Sequence, residues 1–198
     1  AALASIDAPR RSVAVLGFKN SSGRAEVGWI STALGEMLNT ELSEGDNLRL
    51  VPGESVARVK LELGLGDTDS LSAETLRRLR ALLGADYVLA GSYTALPGGS
   101  LRLDLRLQDA RAGEALRPVS ESGDEAGLFE LAKKAGEGLR DRLGVEGGGS
   151  TSGWWSAERW NPEATRLYSE GLAKLRNFEP LAARDLLEKA VAADPKSP

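Results

Sequence analysis

The chain has 198 residues, 41% of them hydrophobic, with 25 basic and 29 acidic side chains and a formal net charge of −4. It contains neither cysteine nor histidine, which removes thiolate nucleophiles, structural zinc, histidine acid–base catalysis and the serine–histidine triad. A net acidic chain also lacks the excess Lys and Arg that a broadly cationic nucleic-acid binder needs.

Val13-Ala14-Val15-Leu16-Gly17-Phe18 is a short continuous apolar run, the pattern of a strand covered on both faces. Lys19-Asn20-Ser21-Ser22-Gly23 turns the chain, and Val27, Ile30, Leu34, Met37, Leu38 and Leu42 then recur at helical spacing. Glu36, Glu41 and Glu44 are expected on the polar side of that helix. Leu48-Arg49-Leu50-Val51 reads as a second strand, stopped by Pro52-Gly53. Val56, Val59, Leu61 and Leu63 suggest a helix ending near Gly64. A further helix follows with Ser72 as N-cap, Glu74 in its first turn, Leu76, Leu79, Leu82 and Leu83 as its buried stripe, and Gly84 to close it.

Tyr87 to Tyr93 is a third, mostly apolar strand. Past the Pro97-Gly98-Gly99 turn, Leu101, Leu103, Leu105 and Leu107 alternate with Arg102, Asp104, Arg106 and Gln108, a strand with one wet face. A weaker strand runs from the turn at Gly113 to about Ser120, and Ser122 with Glu125 reads as a capping box. Leu128, Leu131, Ala132, Ala135, Leu139 and Leu143 form the helix it would start. The expected fold class is α/β (α+β), a mixed sheet of about five strands packed with helices.

A Gly/Ser-rich linker at 145–153 separates this region, 10–144, from a helical hairpin at 154–198. Leu167, Tyr168, Gly171, Leu172 and Leu175 lie on one face of its first helix, and Ala183, Leu186, Leu187, Ala190 and Val191 line the second. Small residues at Gly171, Ala183 and Ala190 allow close approach of the two helices.

Three blocks carry a family resemblance: Val13 to Phe18 with Asn20 and Ser22, Leu83 to Ser92, and Leu101 to Leu107 with Asp109, Gly113 and Glu114. Together they resemble the amino-terminal domain of TolB-like proteins, with FlgO and CsgG carrying related folds. Ala183, Leu187, Ala190 and Pro195 are similar to the second-helix positions of a tetratricopeptide repeat. The pairing resembles the C-terminal region of certain bacterial serine/threonine protein kinases. It implies an extracytoplasmic, periplasmic location, with a membrane helix and kinase domain elsewhere in a longer chain and further repeats after Pro198. A cytoplasmic location is the alternative. The sequence has no Gly-rich loop with an ATP-anchoring Lys, and no His-Arg-Asp or Asp-Phe-Gly.

Candidate binding residues are few. Asn20, Ser21 and Ser22 follow a strand and precede a helix, where ligands often bind in α/β folds. The ordinary structural reading is a loop whose Asn and Ser satisfy backbone donors. Asp67 and Asp69 lack the rest of a calcium loop, and Arg77, Arg78 and Arg80 read as the wet face of a helix. Trp154, Trp155 and Trp160 cluster after the linker, either to anchor a partner or to cover the repeat. No catalytic residue, metal or cofactor is expected. Partners are proteins or a small ligand, not nucleic acid; a membrane is reached only through a segment outside this sequence, and homo-oligomers are possible in principle. The functional expectation is a non-enzymatic sensor or interaction region attached to a kinase; the alternative is an oligomerisation or scaffold segment of an envelope protein, and an enzyme relying on carboxylates ranks last.

Overall fold

The computed structural model describes residues 10–43, 48–145 and 161–195. Of the expected linker only Val145 is described, and it packs against the hydrophobic core; the rest of it, Glu44 and the candidates Trp154, Trp155 and Trp160 lie outside the described residues. Strand β1 (Arg11–Asn20) is flanked by two parallel neighbours, β2 (Leu48–Leu50) and β3 (Tyr87–Ala95). Its alternate residues bury in different cores: Val13, Val15 and Phe18 on one face, Ala14 and Leu16 on the other. That double burial is why the run is continuously apolar.

The first face carries α1 (Trp29–Ser43) and α4 (Leu128–Leu143), and the second carries α2 (Gly53–Leu63) and α3 (Ala73–Leu83). Gly64 and Gly84 end α2 and α3 in the left-handed region, at φ 62° and 63°. Ser72 caps α3 as expected, accepting from the Thr75 N–H at 3.2 Å. The second core is the smaller, so α3 buries only Leu76 and Leu79; Leu82, expected in the stripe, is exposed.

β3 turns into β4 (Ser100–Asp109), whose Leu101, Leu103, Leu105 and Leu107 face α1 and α4. The outer edge of β4 pairs with two pieces, β5 (Glu114–Ala115) and β6 (Val119–Asp124), so the mixed sheet has six strands rather than five. Pro118, which has no N–H to donate to a ladder, falls in the interruption between them.

The expected capping box does not form. Ser122 pairs with Arg102 inside β6. Helix α4 starts later, with Gly127 at its N-cap, and the Gly127 N–H donates to Asp124 Oδ1.

Helices α5 (Pro162–Arg176) and α6 (Pro180–Ala193) form the expected hairpin, and α5 rests on α1. Asn161 caps α5 through the N–H groups of Glu163 and Ala164, and its Nδ2 donates to the Ala193 carbonyl, tying the two open ends together. A Cβ on Gly171 would stand 2.8 Å from Leu187 Cδ2, so the close approach needs that glycine. Leu175 and Val191, expected on the apolar faces of the two helices, are exposed instead, since the helices meet along the face carrying Gly171, Ala183 and Leu187.

Candidate functional site

The residues singled out at the end of β1 lie together but are turned onto their own loop. Asn20 Nδ2 donates to the Arg24 carbonyl at 2.7 Å, Asn20 Oδ1 accepts from the Ser22 N–H at 3.0 Å and from its hydroxyl, and the Ser21 N–H donates to the Tyr93 carbonyl at 2.8 Å. Asn20, Ser21 and Ser22 line no described cavity.

The polar cleft opens nearby, on a feature of β1 that its apolar run conceals. The β1–β3 register shifts between Val15 and Phe18, and Gly17 at the bulge adopts φ 105°. The ladder is interrupted there, and side chains take over its polar groups. Lys60 Nζ on α2 donates to the Leu16 carbonyl at 2.8 Å and meets Asp67 Oδ1 at 2.6 Å, while the Phe18 N–H donates to Ser31 Oγ on α1 at 3.0 Å. Asp67 is thus part of an ion pair rather than a free turn carboxylate.

Around this bulge α1, α2, the 65–67 turn and the end of α5 enclose about 460 Å³. Glu36 of α1 and Arg176 of α5 close one side, with Arg176 Nη2 2.8 Å from Glu36 Oε1 and 3.6 Å from Glu54 Oε1. Tyr168 of α5 adjoins this group; burial pushes its phenol pKa up, and the Glu36 charge adds to the rise. Asn39 Oδ1 and Arg176 Nε, both on cleft residues, are buried without a hydrogen-bond partner. No sequence pattern joins Glu36 to Arg176 across 140 positions.

Glu41 corrects another expectation. It is buried rather than on a wet face, and Arg140 of α4 donates to its carbonyl at 2.6 Å and to Oε2 at 3.3 Å. Gly136 permits the approach, since a Cβ there would stand 2.8 Å from Glu41 Cβ. Arg77 and Arg78 are exposed as expected, but Arg80 is half-buried and its Nε is shielded from water without a hydrogen-bond partner.

A second candidate surface is the outer side of the hairpin. Leu175, Phe178, Leu181 and Val191 are all exposed, Phe178 by 73% at a turn where its φ is 60°. Beside them a groove of about 510 Å³ is lined by Leu175, Pro180, Ala183, Leu187 and Val191, with Arg184 and Glu188 at its rim. Among the described residues no group of three His, Cys, Asp or Glu side chains could hold a metal ion, and no helix is long and apolar enough to cross a membrane.

The profile of the family described as "Curli production assembly/transport component CsgG" matches residues 3–101, half of the chain, and the chain belongs to that family. No curated protein matches it. The chain is similar to the solved LpoB C-terminal domain from Salmonella enterica at 21% identity, over 58% of this chain and 82% of that one, with a TM-score of 0.46. Lipoprotein GNA1162 from Neisseria meningitidis is 20% identical over 66% of this chain and 96% of its own, with a TM-score of 0.46. TolB from Acinetobacter baumannii is 10% identical over 71% of this chain and 30% of its own, with a TM-score of 0.48. At such identities and scores the similarity does not extend to function.

Proposed function

We propose that this CsgG-family chain is a non-enzymatic protein-interaction segment on the extracytoplasmic side of a bacterial envelope, where it acts as a scaffold through association of its copies. The observation that carries this reading is the outer side of the α5–α6 hairpin, where Leu175, Phe178, Leu181 and Val191 leave apolar area in water beside a groove. Paired helices with one uncovered face gain stability when a neighbour covers it, which is how helical repeats stack. The family's own description, an assembly and transport component, supports the envelope setting. The tetratricopeptide likeness of the hairpin is compatible with this use of the face. A sensor role for an attached kinase draws no comparable support, so the scaffold alternative takes precedence.

Sedimentation velocity across a concentration series tests the reading. The expected result is reversible self-association that grows with concentration and is abolished by the double substitution Leu181→Glu and Val191→Glu. A concentration-independent monomer for the unaltered chain would overturn it.

A further inference from the structure

Helix α6 presents one exposed stripe on the outer side of the hairpin: Leu181, Arg184, Glu188 and Val191, at i, i+3, i+7 and i+10. That spacing keeps all four on one face of a helix. They are exposed to a similar degree, Leu181 by 71% and Val191 by 66%, and the side chains of Arg184 and Glu188 by 63% and 71%. Within the chain Arg184 holds Asp185 Oδ1 at 3.0 Å and reaches Glu188 Oε1 only at 3.8 Å. Exposed pairs of that kind contribute little, so the fold itself gains little from the stripe.

The stripe reads alike from either end. Leu181 and Val191 each stand five residues from Leu186, and Arg184 and Glu188 each stand two residues from it. Both halves thus have an apolar residue outside and a charge inside, and the two charges are opposite. A second α6 turned end for end about an axis level with Leu186 sets Leu181 against Val191 and Arg184 against Glu188, twice over. A parallel pair would instead set arginine against arginine and glutamate against glutamate, which repels. The groove between Leu175, Ala183, Leu187 and Val191 runs along the same flank of α6 and offers the apolar ends a place to pack.

We propose that this stripe is a two-fold contact between two copies of the chain, their α6 helices antiparallel and Arg184 of each paired with Glu188 of the other. The proposal rests on the reading that copies associate through this face, and it makes that association a closed pair rather than an open array. The apolar ends keep water from the two ion pairs, and the order of the charges sets the direction.

The chain has no cysteine, so single introduced thiols report the register. Leu181→Cys and Val191→Cys are prepared as separate full chains and oxidised with copper–phenanthroline, alone and mixed. The two positions lie about 15 Å apart along α6, so the mixture is expected to give a disulfide-linked dimer and neither variant alone. Crosslinking of either variant alone as readily as the mixture would overturn the antiparallel register. In sedimentation velocity, Arg184→Glu is expected to weaken association about tenfold, and adding Glu188→Arg to restore it to within about twofold. A double variant as weak as the single one would overturn the pairing of the two charges. Association of the unaltered chain without crosslinking in the mixture overturns this arrangement alone, whereas a monomeric unaltered chain overturns the scaffold reading as well.

Discussion

Replacing Arg140 with Met tests the account of how α4 is fastened to α1. The side chains of Arg140 and Glu41 are only 10% and 9% exposed, and Arg140 also donates to the Glu41 carbonyl. Met fills much of the space of the arginine stem but leaves the Glu41 carboxylate buried without its counter-ion. Removing one member of a buried pair typically costs about 3–5 kcal/mol. At a urea dependence of about 2 kcal/mol per molar, the low end of that range lowers the unfolding midpoint by roughly 1.5 M. The double substitution Glu41→Leu with Arg140→Met removes both charges and should return to within about 1 kcal/mol of the unaltered chain, since an apolar replacement also avoids the desolvation cost of the ions. Arg176→Met makes the comparison sharper. Its pair with Glu36 is about twice as exposed, at 19% and 21%, and should cost about 1 kcal/mol or less. Urea unfolding followed by circular dichroism at pH 7 measures all four proteins. An Arg140→Met variant within about 1 kcal/mol of the unaltered chain, or a double variant as unstable as the single one, would refute the reasoning.

Two further measurements concern local structure. The single Ser12 hydroxyl proton is shared between the Gly84 carbonyl, 2.6 Å from Oγ, and Asp86 Oδ2 at 3.0 Å, so Ser12→Ala should cost about 1–2 kcal/mol in the same urea assay. Burial alone would raise the Asp86 pKa, but hydrogen bonds from the Ser12 N–H and hydroxyl, together with the Arg80 and Arg111 charges, outweigh it and hold the carboxyl below its ordinary value. The resulting stability is present above the unfolded carboxylate pKa of about 4 and is lost as pH falls through the lower folded value. Asp86→Asn should therefore lose less stability than the unaltered chain on acidification from pH 4, and parallel curves would refute the assignment. At the start of α4, Asp124→Ala should cost about 1 kcal/mol and Ser122→Ala less than about 0.5 kcal/mol, and the reverse order would restore the capping box.

The legible parts of the sequence were those in which one local pattern has one physical meaning. The alternation of Leu101 to Leu107 demanded a strand with a single buried face, and the doubly buried run Val13 to Phe18 demanded layers on both sides. The misreadings came where two local meanings compete. Ser122 and Glu125 have capping-box spacing, yet the long strand β4 needed a partner along Ser100–Leu105, and pairing with that ladder outweighed a cap. Glu41 carries a local signal of its own. It falls three residues after Leu38 and seven after Leu34, on the buried stripe of α1, where an acid requires a partner. The cleft was less legible. Gly17 could have marked a bulge in an otherwise apolar strand, but the meeting of Glu36, Glu54 and Arg176 depends on how a distant helix docks.

α1 shows how one helix supports two kinds of attachment. Its Glu41 side meets α4 through a buried ion pair and a glycine that permits contact at close range. Its Glu36 side meets α5 through a partly hydrated ion pair, with Asn39 Oδ1 and Arg176 Nε left dry and unpaired beside it. The α5–α6 contact is itself close-packed at Gly171 and Leu187. The two attachments therefore differ in kind: a charge pair shielded from water on the α4 side, and a partly hydrated one on the α5 side.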